Sequence, residues 1–128
     1  MSDEPRHASN PREWMNRARS NLAIAKNRIP DVYLEDLCFD AQQAAEKAIE
    51  AVFVARGIEF PFIHDLTRLL AILEKHGEDI PDAVRRSGAL THYAGNARYP
   101  LDVPTAEHEY QDALAIAEAT VAWAEARI

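Results

Sequence analysis

Residues 31–57, DVYLEDLCFDAQQAAEKAIEAVFVARG, decide the fold of this 128-residue chain. The apolar side chains in this stretch recur every three or four residues, which is the spacing of one face of an α-helix. They are Leu34, Leu37, Cys38, Ala41, Ala45, Ala48 and Val52. No glycine precedes Gly57. The sequence therefore predicts a long helix that is capped by Asp31 and runs towards Gly57.

A helix of similar character is predicted on the N-terminal side of this stretch. Asn10 followed by Pro11 is typical of a helix start, because the first helical position loses nothing when its N–H is missing. Pro30 ends this first helix. Its apolar stripe contains Trp14, Ala18, Leu22, Ala25 and Ile29. The short connection makes the two helices antiparallel neighbours.

Complementary charges accompany these two helices. The first carries several basic residues and the second begins with several acidic ones, so we expect ion pairs between the two helices. The basic residues are Arg17, Arg19, Lys26 and Arg28. The acidic residues are Asp31, Glu35, Asp36 and Asp40.

Three more helices are predicted on the C-terminal side, of which the third helix of the chain is shorter than the first two. The third contains four spaced leucines and ends near Gly77, the fourth starts at 79–81, and the last is capped by Thr105. Residues 95–104 are predicted to form an ordered loop, and residues 1–9 a flexible tail. The predicted fold is all-α: an up-and-down antiparallel bundle of four to five helices, forming a single domain over residues 10–128.

Composition limits the classes of function. The chain has 14 basic and 21 acidic residues, a net charge of −7, which excludes a broad basic surface for nucleic acid and predicts no DNA binding. Cys38 is the only cysteine, so no intramolecular disulfide forms. With no predicted membrane segment, these features predict a cytoplasmic protein.

Motifs for metals and cofactors are missing from the sequence. The five histidines occur neither in paired Glu-x-x-His motifs nor in His-Glu-x-x-His. Gly88 and Gly95 lack the lysine of a phosphate-binding loop. The sequence therefore predicts no metal and no cofactor.

One local cluster combines cationic and aromatic side chains. Its members lie within residues 85–99 and are Arg85, Arg86, His92, Tyr93, Arg98 and Tyr99. Such a combination suits a phosphate and a stacked base. The alternative is a helix end whose arginines pair with Asp79 and Asp82.

Two further clusters have structural alternatives. Residues 42–47, QQAAEK, would be an alanine-rich packing face with a polar edge. His64 and Asp65 stand at the start of the third helix, where a histidine either caps a neighbouring helix or takes part in catalysis.

Taken together, these segments resemble the HEPN domain family (higher eukaryotes and prokaryotes nucleotide-binding). The resemblance rests on the tryptophan-containing first helix, on FDAQQAAEKAIEA at 39–51, on PFIHDL at 61–66 and on ARYP at 97–100. The Arg-Tyr-Pro motif is similar to that of one subgroup. The resemblance implies a helical bundle that usually dimerises and is often encoded beside a minimal nucleotidyltransferase. Some members are RNases, and others bind nucleotides or serve as partner subunits.

From this resemblance we expect a nucleotide- or RNA-binding homodimer that partners a minimal nucleotidyltransferase in a toxin–antitoxin-like pair. Phosphate would be held by Arg98 with Arg85 or Arg86, and a base would stack on Tyr93 or Tyr99. Lys47 and His64 are further contributors in this hypothesis.

Two alternatives remain open. The first is a metal-independent endoribonuclease, since Arg86 and His92 have the spacing of the family's catalytic pair, although Ser87 and Gly88 depart from its usual pattern. The second is a non-catalytic helical adaptor.

Overall fold

The computed structural model describes residues 9–95 and 104–128, and these residues form five α-helices and one 3₁₀ segment. The helices are α1 (Pro11–Lys26), α2 (Leu34–Arg56), α3 (Leu66–Lys75), α4 (Asp82–Arg85) and α5 (Glu107–Glu125). The 3₁₀ segment, Arg86–Ala94, follows α4 directly. The described residues contain no strand, and the predicted all-α bundle is confirmed.

Helix α2 forms the centre of the bundle. It packs along α1 and α5 and also contacts the 3₁₀ segment. Small buried residues, among them Ala41, Ala45 and Ala48, allow the neighbouring helices to come close. The helix ends at Gly57, whose φ of 70° is the left-handed conformation that glycine adopts without steric cost.

The connection between α1 and α2 differs in part from the prediction. The Asn10 side chain accepts from the Arg12 N–H over 3.0 Å, so the predicted start of α1 is confirmed. Helix α1 ends at Lys26, and Ile29 lies beyond it, 51% exposed, so its predicted place on the stripe was wrong. The predicted Asp31 cap of α2 was wrong. Asp31 has a φ of 76° and turns the chain, and Tyr33 is the residue that precedes α2.

The predicted ion pairs between α1 and α2 were also wrong. Three of the four basic residues in the prediction instead face α5 and pair with acidic residues there. These pairs are Arg19–Glu125, Lys26–Glu118 and Arg28–Glu107. Arg17 pairs with Glu13 of its own helix over 3.0 Å. Helices α1 and α2 bury their apolar faces against each other, so the outer charges of α1 reach α5.

Helix α3 and the 3₁₀ segment approach each other closely at Gly88. A Cβ atom at this position would lie far inside the contact distance of Thr67 Oγ1. The Leu66 N–H also donates to Thr91 Oγ1 over 3.1 Å. The glycine at position 88, which departs from the usual pattern of the family's catalytic pair, is therefore explained by the close contact between two elements.

The remaining predictions concern the starts of α3 and α5. Asp65 caps α3 by accepting from the Arg68 N–H over 3.3 Å, and α3 contains the predicted leucines. Helix α5 is preceded by Ala106 rather than by Thr105, so the predicted cap was wrong. Glu109 Oε1 accepts from the Ala106 N–H over 2.8 Å, and this bond takes the place of the predicted Thr105 cap. Almost all of the predicted tail and most of the predicted loop lie outside the described residues.

Candidate functional site

The 3₁₀ segment and α5 enclose two adjoining cavities, which we call the α5 groove. The first has a volume of about 260 Å³ and is lined by Ala83, Arg86, Asp112, Ala115, Ile116 and Ala119. The second has a volume of about 200 Å³, and its lining includes Ala89, Leu90, His92, Glu109, Asp112 and Ile116. Asp112 and Ile116 belong to both linings, so the cavities adjoin along α5.

Arg86 supplies a free cation to this groove. Its side chain is exposed and makes no hydrogen bond or ion pair with any residue of the described ranges. A guanidinium without an acidic partner keeps all five of its N–H donors for a ligand. Phosphate and carboxylate oxygens are the acceptors that fit this planar donor group best.

His92 presents its second ring nitrogen to solvent. Its Nδ1 lies 3.1 Å from the carbonyl oxygen of Ala89, and because a carbonyl only accepts, Nδ1 carries the proton of this bond. In the neutral ring, Nε2 then has a free lone pair. The ring also packs on Tyr93, with centroids 4.0 Å apart. His92 is thus oriented as a base would be.

Tyr93 is a core residue. Its side chain is 6% exposed, and its hydroxyl hydrogen-bonds to Cys38. The pKa of both groups is raised, mainly by burial. The pKa of the Cys38 thiol reaches about 11, and the pKa of the Tyr93 hydroxyl also lies above its ordinary value. Tyr93 lines the second cavity, but so little of its ring is exposed that a base could not stack flat on it, and the predicted stacking role does not fit Tyr93.

Arg85 lies outside the α5 groove although it is adjacent to Arg86 in sequence. Its guanidinium donates to both carboxylate oxygens of Glu74, over 3.2 and 2.9 Å, and to the Ile80 carbonyl oxygen over 3.3 Å. Hydrogen bonding from Arg85 lowers the pKa of Glu74. The alternative of an arginine paired with an acid therefore describes Arg85, with Glu74 as the partner.

The QQAAEK block and His64 meet in a second polar cluster, the Glu46 network, formed by Gln42, Gln43, Glu46, Glu50 and His64. Gln43 donates to Gln42 over 2.7 Å, and Gln42 donates to Glu46 over 2.6 Å. His64 Nδ1 lies 2.9 and 3.1 Å from the two oxygens of Glu46. This network joins the middle of α2 to the residues before α3.

Glu50 completes the Glu46 network one turn further along α2. It is buried, and burial together with the neighbouring Glu46 raises the pKa of its carboxyl to about 8. Glu50 is therefore protonated at neutral pH and hydrogen-bonds to Glu46. Gln42 and His64 both hydrogen-bond to the Glu46 carboxyl group.

Lys47 belongs to the contact between α1 and α2. Its Nζ donates to Asn21 Oδ1 over 2.8 Å, and Asn21 donates to Asp40 over 3.0 Å. Burial is the main cause that raises the pKa of Asp40. Neither Lys47 nor His64 lines the α5 groove. The structure thus separates residues that the sequence grouped into one site.

Several predicted residues lie beyond the described ranges, and several groove residues were missed. Arg98 and Tyr99 fall within residues 96–103, so their placement remains a prediction. Asp112 and Glu109 were not singled out in the sequence. Their signal is weak, because acidic residues are frequent on α5 and nothing local distinguishes those that face the 3₁₀ segment.

Within the described ranges, the protein has neither a cluster suited to a metal ion nor a helix suited to a membrane. Across residues 9–95 and 104–128, no group of three or more His, Cys, Asp or Glu side chains has a geometry that could hold a metal ion. The helices of these residues are all too short or too polar to span a bilayer.

The bundle and its helix order define a known class of protein. The HEPN domain model matches residues 11–127, so the chain belongs to the HEPN domain family. The crystal structure of TT1696 from Thermus thermophilus is similar, with 30% identity, a TM-score of 0.76, and coverage of 92% of this chain and 98% of that one.

A second solved structure agrees in fold. ST0689, described as an archaeal HEPN homologue, has 22% identity and a TM-score of 0.71, and the match covers 91% of this chain and 96% of that one. No curated protein matches the chain. The family resemblance of the sequence is confirmed, while the Arg-Tyr-Pro subgroup remains a prediction.

Proposed function

We propose that this HEPN domain binds a nucleotide or an RNA in the α5 groove and acts as a homodimer with a minimal nucleotidyltransferase, in a toxin–antitoxin-like pair. The nucleotide-binding half of this proposal depends on one observation: the unpaired Arg86 lines a cavity that adjoins the cavity lined by His92. The family, whose members include nucleotide-binding proteins and RNases, supports the same class of ligand.

The groove suits a single nucleotide unit. In this proposal, Arg86 binds the phosphate, and the apolar side chains of Ala89 and Ile116 contact the base or ribose. Each cavity is smaller than the roughly 300 Å³ at which closed ligand sites begin, so the ligand would lie along both. Arg98 and Tyr99, from the chain between the 3₁₀ segment and α5, are proposed as a second phosphate contact and a stacking ring.

Acidic residues limit how much nucleic acid this groove binds. Glu109 and Asp112 line it, and the chain has a net charge of −7. A long phosphate backbone would be repelled from such a surface, whereas one phosphate beside Arg86 is not. The proposal is therefore local recognition with few phosphate contacts, and binding that weakens only modestly with salt.

An exposed aromatic surface supports the protein-partner half of the proposal. A cavity of about 550 Å³ is lined by Trp14, Val54, Ile58, Glu59, Phe60 and Phe62. Phe60 contacts Trp14 and Phe53, with ring centroids 5.7 and 5.3 Å away, and Phe62 is fully exposed. Exposed apolar patches of this kind are common at protein interfaces.

The test of the binding half compares two adjacent arginines. ATP, GTP and short RNAs are titrated calorimetrically against wild type, Arg86→Ala and Arg85→Ala. We expect Arg86→Ala to weaken binding roughly tenfold, because a charged phosphate contact is lost, and Arg85→Ala to leave it unchanged. Arg98→Ala tests the second phosphate contact. Equal affinities for wild type and Arg86→Ala, or no binding at all, would remove the proposed site.

The orientation of His92 favours a second candidate function, a metal-independent endoribonuclease. His92 Nε2 would take the proton of a ribose 2′-hydroxyl, whose oxygen attacks the adjacent phosphorus. The bond to the 5′-oxygen breaks, this oxygen takes a proton from water, and Arg86 stabilises the negative charge of the transition state. The products are a 2′,3′-cyclic phosphate and a free 5′-hydroxyl end.

This candidate has its own test. RNA incubated with the protein should yield 2′,3′-cyclic phosphate ends at a rate that a chelator leaves unchanged. His92→Ala and Arg86→Ala should each abolish cleavage, while His76→Ala, at an exposed histidine outside the groove, should not. An intact RNA with wild-type protein would exclude the enzyme and leave the binding proposal standing.

A further inference from the structure

Asp112 occupies a special place in the α5 groove, because it lines both cavities. Its side chain is exposed and forms no hydrogen bond or ion pair with another residue of the described ranges, Arg86 included. Its charge also contributes to the raised pKa of Tyr93, which places the carboxylate near the wall formed by the 3₁₀ segment. A free carboxylate therefore lines the same groove as the Arg86 cation and the apolar side chains of Ala89 and Ile116.

Glu109 is the other carboxylate of the groove, but its role is already assigned. Its Oε1 accepts from the Ala106 N–H over 2.8 Å and so caps the start of α5. Asp112 lies three residues further along the same helix and caps nothing. Of these two carboxylates, Asp112 is the one with both oxygens available to a ligand.

A carboxylate beside a phosphate-binding arginine distinguishes between bases. Carboxylate oxygens only accept hydrogen bonds, so they match a base edge that presents two donors side by side. Guanine has such an edge, formed by N1–H and the 2-amino group. Adenine presents one donor, the 6-amino group, next to an acceptor, N1, which an ionised carboxylate repels.

We propose that Asp112 is a specificity-determining residue that selects guanine nucleotides in the α5 groove. The inference rests on the proposed nucleotide binding and deepens it. Arg86 binds the phosphate, Ala89 and Ile116 contact the face of the base, and Asp112 accepts from N1–H and the 2-amino group. The guanine is that of a free mononucleotide or of a residue in single-stranded RNA.

The experiment measures dissociation constants for GMP, IMP and AMP by calorimetry. Wild type is expected to bind GMP roughly tenfold more tightly than AMP, with IMP between them because it lacks the 2-amino group. Asp112→Asn should weaken GMP binding and strengthen AMP binding, since an amide pairs with the donor and acceptor of adenine. Glu118→Gln makes the same change at an exposed site of α5 outside the groove and should keep the wild-type order.

The outcomes separate the two proposals. Equal affinities for GMP and AMP in wild type, or an unchanged preference in Asp112→Asn, would overturn the role of Asp112 while nucleotide binding stands. Absence of binding for all three nucleotides and for RNA would overturn both. The source of the guanine follows from a second comparison, in which the pentaribonucleotides UUGUU and UUAUU are titrated beside GMP. Tighter binding of UUGUU than of GMP identifies RNA as the ligand, and the reverse identifies the mononucleotide.

Discussion

His64 Nδ1 lies 2.9 Å from Glu46 Oε1, and this bond joins the chain before α3 to the middle of α2. Both residues come from the segments that carry the family resemblance of the sequence. Their meeting gives these segments a structural role: the Glu46 network joins helix α2 to the chain that leads into α3. The network lies apart from the α5 groove, so the two polar regions are open to separate tests.

Removal of the central acceptor should destabilise the bundle. Glu46→Ala leaves the fully buried Gln42 amide without its acceptor, and we expect the free energy of unfolding to fall by about 2 kcal/mol. Urea unfolding followed by circular dichroism measures this change. Glu118→Ala, at an exposed ion pair with Lys26, is the control and should cost no more than about 1 kcal/mol. Equal effects of the two substitutions would contradict the network's structural role.

The raised pKa of Glu50 should make the stability of the fold decrease as pH rises. Its carboxyl has a pKa of about 8 in the fold, against an ordinary value of 4.5, so the folded chain retains a proton that the unfolded chain releases between these values. The free energy of unfolding therefore falls as pH rises through this window, and this contribution is constant above it. Glu50→Gln removes the contribution and should raise the free energy of unfolding at pH 8 by about 1 to 3 kcal/mol.

Denaturant unfolding from about pH 4 to pH 9 measures this slope in wild type and Glu50→Gln. The difference between the two proteins should be smallest at the acidic end, where a glutamic acid and a glutamine are both neutral. A constant difference across the range would show that Glu50 is ionised in the folded chain.

Gly88 and Thr67 should be energetically coupled. Gly88→Ala alone places a methyl group against Thr67 Oγ1 and should destabilise the chain by about 1 kcal/mol. Thr67→Ala removes that oxygen. In the Thr67→Ala background, Gly88→Ala should be neutral or stabilising, because alanine restricts the unfolded chain more than glycine does. Thermal unfolding of the four proteins gives the coupling energy, and additive effects would argue against the close contact.

Substitutions at Phe62 and Phe60 should affect different properties, self-association in the first case and the stability of the fold in the second. Phe62 is fully exposed, so Phe62→Ser should change the free energy of unfolding by no more than about 0.5 kcal/mol while weakening self-association. Phe60 packs against Trp14 and Phe53, so Phe60→Ser should destabilise the fold itself. Light scattering after gel filtration reports the oligomeric state. An unchanged mass for Phe62→Ser over a range of concentrations would contradict a role of this surface in self-association.

Local signals predicted most of the helices. Asn10 with Pro11, Gly57 and the leucines of α3 each act within a few residues, and the structure places helix boundaries close to them. Two other boundaries were missed, although the residues that set them are also close in sequence. Asp31 turns the chain instead of capping α2, and Glu109 rather than Thr105 satisfies the start of α5.

The sequence by itself determined the all-α class, the order of the helices and the family, because periodic apolar residues and helix start and stop signals are local properties. Only the tertiary structure decided which side chains share a site. Arg85 and Arg86 are neighbours in sequence, yet one binds Glu74 and the other lines the α5 groove. Successive helical residues point about 100° apart, so adjacent arginines reach different surfaces.

Lys47 and His64 are separated from the groove for a related reason: helix packing directs them towards Asn21 and Glu46. Asp112, which the sequence did not distinguish, faces the cavities because the 3₁₀ segment crosses α5 at that turn.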